Sequence, residues 1–200
     1  FFEQIALALF GLNLPAWYFE GDAVQMETLF SAGGRGRLPA WDMPLRSNIL
    51  AGKAYDFNKY TLGSYRDIVP SYYTIGYFIN SHLSNHYGHN SHEKILSAMR
   101  PNLLRPFNFN RALKSVSGKK SNQLFQETIL ELTQKWTAEK PANTSIFEPI
   151  AVENSAYPSD YLLPQTDAHL AVYALKKSPS SRNKIVRIEQ GKEEFISFTG

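Results

Sequence analysis

The spacing of apolar residues changes once along this 200-residue chain, near residue 140. Before that point apolar side chains recur every three or four residues, which is typical of amphipathic helices. After it, short runs rich in Val, Ile, Tyr and Phe alternate with Pro, Ser, Gly and Asn, which is typical of strands joined by turns. The sequence predicts a mainly α-helical domain over residues 1–139, a linker over 140–146 and the first strands of a β domain over 147–200.

The periodicity also predicts the individual elements. Gly11 is the expected end of the first helix, and Asp42 and Ser91 are the expected N-caps of the third and fifth helices. Residues 55–68 are expected to form an irregular connection. The predicted helices span residues 2–10, 15–30, 44–51, 70–87, 91–100, 110–116 and 121–139, and the predicted strands span 162–163, 170–176, 184–188 and 194–198.

Composition excludes several classes of function. The 21 basic and 18 acidic residues are interspersed, and a formal charge of +3 argues against a dedicated nucleic-acid surface. The absence of cysteine excludes disulfides and thiolate metal sites. No apolar run approaches the ~20 residues that a membrane-spanning helix needs. The 43% hydrophobic fraction is sufficient for a globular core.

The second predicted helix, residues 15–30, carries a carboxylate among apolar side chains. Glu20 is flanked by Trp17, Phe19 and Val24. Burying a carboxylate in such surroundings is costly unless a metal ion, an arginine or a shared proton neutralises it. The alternative is that Glu20 lies at the rim of the core and reaches water. Glu27 lies on the same helical face, where it either supports a site or is a surface charge.

Residues 17–23, WYFEGDA, resemble the W-x-x-E-G-x-A helix of gluzincin zinc metallopeptidases, which include the aminopeptidase-N-like and peptidase-MA-like enzymes. In that family the Glu of this motif is the third zinc ligand, so the resemblance implies that Glu20 binds Zn²⁺. The other two ligands are the histidines of an HExxH helix that lies upstream. The implied activity is hydrolysis of a peptide or protein substrate.

The resemblance is closer still to bacterial envelope proteins that join a gluzincin domain to a TolB-like β-propeller. It covers residues 14–87 well and the remainder more loosely, and residues 157–193 are similar to an opening propeller blade. It implies a location in the periplasm or cell envelope. It also implies that the predicted strands begin a propeller.

The chain departs from the family pattern because its 200 residues contain no HExxH. The nearest match, HEKIL at residues 92–96, lacks the second histidine and follows Glu20 instead of preceding it. We therefore expect the chain to start just after the zinc-binding helix and to be inactive alone. The alternative is a catalytically inactive gluzincin-like scaffold whose propeller binds protein or glycan. A serine or cysteine hydrolase is disfavoured, since the sequence has no G-x-S-x-G and no cysteine.

Residues 73–76, YTIG, stand where the aminopeptidase-like branch carries Y-x-x-G. The resemblance implies that the Tyr73 hydroxyl donates a hydrogen bond to the oxyanion of the tetrahedral intermediate. Gly76 would let the helix pack closely on its neighbour. The alternative is that Tyr72, Tyr73 and Tyr77 are aromatic residues at the edge of the core, and Tyr72 is the second candidate for the donor.

A glycine-rich loop with two arginines follows the Glu20 helix at residues 33–39, GGRGRLP. Such loops can bind anions, but this one lacks the Lys-Ser/Thr of a P-loop and follows no strand, so a nucleotide site is disfavoured. The resemblance implies that the loop lies beside the active-site helix. Arg35 and Arg37 are therefore candidates to bind a substrate carboxylate, the alternative being a solvated loop.

Four of the five histidines lie between residues 82 and 92. His82 and His86 are four residues apart, which places both side chains on one helical face at a spacing that suits a metal ion. His89 and His92 continue the series, but no carboxylate is interleaved at ligand spacing. The alternative is a polar helix end, where histidine also suits the helix dipole.

Overall fold

A computed structural model describes residues 2–53, 55–102, 105–139, 157 and 159–199, with only the backbone described at residues 2, 3, 6, 7 and 9. The chain forms two compact units. The first comprises Phe1–Gly63 and Val69–Lys140, and the second comprises Ser64–Ile68 and Pro141–Gly200. The predicted linker, residues 140–146, lies outside the described residues, so the predicted domain boundaries stay predictions.

The first unit is helical and the second contains a sheet, which confirms the predicted order of a mainly α region followed by strands. Among the described helices, none is both long enough and apolar enough to cross a bilayer. The helices are α1 Phe2–Asn13, α2 Ala16–Phe30, α3 Pro39–Leu50, α4 Phe57–Leu62, α5 Tyr72–Tyr87, α6 Ser91–Met99, α7 Asn108–Ser117 and α8 Ser121–Ala138, and 3₁₀ turns span Arg35–Arg37 and Arg100–Asn102.

Helix α3 begins five residues earlier than predicted. Pro39 occupies the first position of the helix, where its missing N–H and fixed φ cost nothing. Pro44, the predicted start, lies inside the helix instead. Asp42 is consequently in the first turn and does not cap the helix; Leu38 occupies the N-cap position. Two prolines can each begin a helix here, and the sequence rule selected the wrong one.

Three further predictions were wrong, two about helix ends and one about an irregular connection. Helix α1 continues through Gly11 to Asn13. Asn90, not Ser91, occupies the N-cap position of α6. The predicted connection over residues 55–68 contains α4, whose N-cap Asp56 accepts a hydrogen bond from the Lys59 backbone N–H at 2.8 Å. Such a cap stabilises the first turn of this short helix, and the buried Tyr60 packs it into the core.

The core of the helical unit is built around α2 and α5. The apolar surface predicted for α2 is only partly buried, because Phe19, Met26, Leu29 and Phe30 are exposed. Polar side chains and a glycine occupy the buried face together with the apolar ones. The buried residues of α2 are Trp17, Tyr18, Gly21, Val24, Gln25 and Thr28, and those of α5 are Thr74, Ile75, Gly76, Ile79, Asn80, His82, Leu83 and Ser84.

Helices α2 and α5 approach until their backbones touch. An ideal Cβ placed on Gly76 would lie 1.9 Å from the Trp17 carbonyl oxygen, and one on Gly21 would lie 2.2 Å from the Gly76 carbonyl carbon. Only glycine permits such an approach. The buried Asn80 amide adds a hydrogen bond to the Tyr18 carbonyl at 2.7 Å. The expectation that Gly76 allows close helix packing is confirmed.

The second unit contains an antiparallel sheet with the strand order β1-β2-β3-β4: Asp160–Thr166, Val172–Ser178, Ser181–Glu189 and Lys192–Phe198. Ala174, Val186 and Ile188 are buried on one face, as the two-residue periodicity of strands requires. Strand β1 is longer than predicted. It accommodates Pro164 because β1 is an edge strand. A propeller stays a prediction for this unit.

Candidate active site

The structure brings Glu20 and Tyr73 together at the α2–α5 contact. The Tyr73 hydroxyl lies beside the Glu20 carboxylate. This carboxylate is the largest cause that raises the pKa of Tyr73 to about 12, since ionising the phenol would place two negative charges side by side. The phenol therefore stays protonated, and able to donate, across the neutral and mildly alkaline range.

The glycine contact explains why these two side chains meet. Glu20 directly precedes Gly21, and Tyr73 lies one helical turn before Gly76. Because Gly21 and Gly76 bring the two backbones into contact, side chains that flank them on the same side must be neighbours. The E-G and Y-x-x-G elements thus act as one packing unit, with the glycines setting the distance between carboxylate and phenol.

Glu20 is half-buried and is not sealed in an apolar environment. Trp17 and Val24 are buried, but Phe19 and Ala23 are exposed, so the apolar surround expected from the sequence is incomplete. A hydroxyl donor, not an arginine, contacts the carboxylate. This arrangement leaves part of the carboxylate accessible.

Arg35 extends the site on the other side of Tyr73. Its guanidinium carbon lies 5.6 Å from the centroid of the Tyr73 ring, and its Nε lies 2.7 Å from Glu27 Oε2. The Arg35 backbone N–H also donates to Glu27 Oε1 at 3.3 Å. Glu27 therefore orients Arg35 next to Tyr73. Tyr72 stacks on Tyr73 with the ring centroids 4.8 Å apart.

The glycine-rich loop is packed against α2 instead of being wholly solvated as one alternative predicted. Gly34 is buried, and a Cβ on it would lie 2.3 Å from the Thr28 Cα. The Gly36 backbone N–H donates to the Thr28 hydroxyl at 3.0 Å. These contacts form the 3₁₀ turn that presents Arg35. Gly34 and Gly36 thus provide close packing against α2.

Arg37 lies apart from this group. Its guanidinium donates to the Ser31 carbonyl, and its side chain lines a cleft of about 610 Å³ together with Asp42 and Arg46. Burial raises the pKa of Asp42, and the neighbouring Arg46 opposes that shift. Of the two predicted arginines, only Arg35 contacts Tyr73 in the described structure.

The histidines divide into separate environments. His82 Nδ1 lies 2.6 Å from Glu131 Oε2, and His86 Nε2 lies 3.2 Å from the same oxygen. Over the described ranges, His82, His86 and Glu131 are the group of three whose ligand atoms lie close enough to hold a metal ion. His89 is exposed and does not belong to this group.

Glu131 was missed by sequence reasoning because it lies 45 residues from His86. A signal did exist in α8, where Glu127 and Glu131 are four residues apart, the same spacing as His82 and His86 in α5. Two such pairs on two helices can face each other, but periodicity alone does not show which helices pack together.

His92 belongs to a third environment, a polar network between α2, α5 and α6. Its Nδ1 lies 3.0 Å from the Tyr18 hydroxyl, and its Nε2 lies 3.2 Å from the Ser84 hydroxyl, which also accepts from the Gln25 amide at 3.3 Å. Burial lowers the pKa of His92 more than the nearby Asp22 carboxylate raises it. Burial also raises the pKa of Tyr18. The network thus favours a neutral imidazole.

This network predicts a pH dependence of stability. In the folded chain the pKa of His92 lies below its unfolded value of about 6.5. Below pH 6.5 the unfolded chain therefore binds more protons at this site, and the free energy of unfolding falls as the pH falls. We expect His92→Gln to reduce this loss between pH 7.5 and 5.5, measured by urea unfolding. His89→Gln, at an exposed position outside the network, should keep the wild-type dependence; equal slopes for both variants would contradict the assignment.

No protein family, no curated protein and no solved structure matches the chain.

Proposed function

We propose that this chain is part of a zinc-dependent metallopeptidase in which Glu20 is the third zinc ligand and Tyr73 stabilises the oxyanion. The observation that carries the proposal is the close contact of α2 and α5 at Gly21 and Gly76, which places the Tyr73 hydroxyl beside the Glu20 carboxylate. It joins two motifs that lie 53 positions apart in the sequence. Their resemblance to gluzincin motifs assigns them to the same active site.

The residues present fit part of a zinc site. Glu20 offers an accessible carboxylate, an oxygen ligand that Zn²⁺ accepts alongside histidines. In the portion of the chain with described coordinates, no group of three metal-binding side chains includes Glu20. The proposal therefore places the two histidine ligands in an HExxH helix encoded N-terminal to these 200 residues. Zinc held there would supply Lewis-acid activation of a water nucleophile for peptide hydrolysis at neutral pH.

The roles of the chain's own residues follow from their contacts. Glu20 holds its position because Gly21 fixes α2 against α5. Tyr73 keeps its proton and donates it in a hydrogen bond where negative charge develops. Arg35, oriented by Glu27, lies beside the Tyr73 ring and can bind a substrate carboxylate. Glu20 comes from α2, Arg35 from the 3₁₀ turn and Tyr73 from α5.

The test is the zinc content of the full-length protein encoded by the gene. It is measured in a His86→Ala background, since His82, His86 and Glu131 form a separate group that can hold a metal. We expect about one zinc ion per chain, and Glu20→Gln should lower this content steeply because a ligand is lost. The matched control is Asp22→Asn, which changes a carboxylate of the same helix that faces His92.

Unchanged zinc content in Glu20→Gln would contradict the assignment of Glu20 as a ligand. An upstream reading frame that lacks the HExxH motif, or in which either histidine of the motif is replaced, would contradict the proposed enzymatic activity. It would favour an inactive scaffold. The predicted β-propeller would then be the region in which to seek protein or glycan binding.

A further inference from the structure

We propose that His82, His86 and Glu131 form a binding site for a divalent transition metal ion of the zinc type, distinct from the site at Glu20. The three side chains come from two helices that pack against each other, α5 and α8. His82 and His86 project from consecutive turns of α5, and their ring centroids are 4.1 Å apart. Glu131 reaches both rings from α8.

The distances between the ligand atoms suit a small tetrahedral ion. With metal–ligand bonds of about 2.0–2.2 Å, tetrahedral ligand atoms lie about 3.4 Å apart. His86 Nε2 and Glu131 Oε2 are already 3.2 Å apart, and His82 Nδ1 and Glu131 Oε2 are 2.6 Å apart. An ion would replace the two hydrogen bonds that now converge on one carboxylate oxygen. The 2.6 Å pair would have to open by about 0.8 Å to reach the tetrahedral spacing, and the Glu131 side chain, which is 49% exposed, is the one with room to move.

A second carboxylate supports the remaining nitrogen of His82. His82 Nε2 lies 3.7 Å from Glu127 Oε2, so a metal on Nδ1 would leave an Nε2–H with a carboxylate nearby, about 0.2 Å beyond the 3.5 Å limit of a hydrogen bond. Metal-binding histidines usually have such a partner, which fixes the tautomer and the ring orientation. The Lys119 ammonium bonds to Glu127 and lowers the pKa of that carboxyl, so Glu127 is ionised at neutral pH. His82 is 8% exposed and is therefore held in place by packing.

The ligand set selects the class of ion. Two imidazoles and one carboxylate suit Zn²⁺, Co²⁺ and similar transition ions, whereas Ca²⁺ and Mg²⁺ prefer ligand sets made of oxygen atoms. Three protein ligands leave a fourth position for water or another small ligand. His82 and Glu131 also line a cleft of about 220 Å³, which provides room for that ligand.

The experiment is a titration of the purified, metal-free 200-residue chain with Co²⁺, followed by visible absorption, and with Zn²⁺, followed by calorimetry. We expect one equivalent to bind with the absorption of low-coordinate Co²⁺ bearing nitrogen ligands. His86→Ala and Glu131→Gln should each weaken binding by at least about 10–100-fold, the range seen when even an outer-shell partner of a metal ligand is lost. Glu127→Gln should weaken binding by about 10-fold.

The controls separate this site from non-specific binding and from the proposed active site. His89→Ala and Glu93→Gln remove an exposed histidine and an exposed carboxylate outside the cluster, and both should bind like wild type. His86→Ala and Glu131→Gln both change exposed side chains, and circular dichroism checks that these two variants fold. Glu20→Gln should leave the Co²⁺ signal unchanged. Absence of binding by the wild-type chain, or equal affinity of His86→Ala and His89→Ala, would overturn the proposal.

Discussion

Replacing Gly76 with alanine is expected to lower the free energy of unfolding of the helical unit by about 3 kcal/mol, the upper end of the usual range for overpacking. The added Cβ would lie 1.9 Å from the Trp17 carbonyl oxygen. The obstacle is backbone, so no rotation of a flexible side chain can relieve the overlap. Helices α2 and α5 would have to separate, and the contacts of Trp17, Ile75 and Ile79 in the core would loosen with them.

The measurement is urea unfolding followed by tryptophan fluorescence. All three tryptophans, at positions 17, 41 and 136, lie in the helical unit, so their signal reports this unit and not the sheet. Gly11→Ala is the matched control, because Gly11 is inside α1 and a Cβ there would meet no described atom within 4 Å. The control should be neutral or stabilising by about 0.5–1 kcal/mol. Equal stability of Gly76→Ala and wild type would mean that the helices are further apart than described.

The sequence predicted the order of helices and strands because periodicity is a local property. The apolar spacing in α8 and the alternation in β3 each identify their element without reference to the rest of the chain. Helix ends were predicted less well, since several residues can begin or end the same helix. Pro39 and Pro44 both satisfy the rule for a helix start, and the packing of the whole unit decides between them.

The candidate site likewise has features that could be predicted from the sequence and features that depend on packing. The resemblance to gluzincin motifs predicted one site for Glu20 and Tyr73, and the structure brings the two side chains together. Glu131 and the orientation of Arg35 by Glu27 could not be predicted. Both depend on which helices and turns pack together, which single-residue patterns do not specify.

Replacing Tyr73 with phenylalanine in the full-length protein is expected to lower peptide turnover by about 100-fold while zinc content stays unchanged. The substitution keeps the ring that stacks on Tyr72 and removes only the hydroxyl that contacts Glu20. If that hydroxyl acts mainly in the transition state, kcat and kcat/KM should fall together while KM changes little. The assay is the hydrolysis of a mixture of quenched fluorogenic peptides.

Tyr77→Phe is the matched control, because Tyr77 lies one turn further along α5 and packs edge-on against Trp41. It should retain nearly wild-type turnover, which would separate loss of a specific donor from a general effect of losing a phenol on this helix. The pKa of about 12 adds a second criterion, since a donor that stays protonated should not itself limit activity in the mildly alkaline range. Wild-type turnover in Tyr73→Phe would instead make the Glu20–Tyr73 contact a structural feature of the α2–α5 packing.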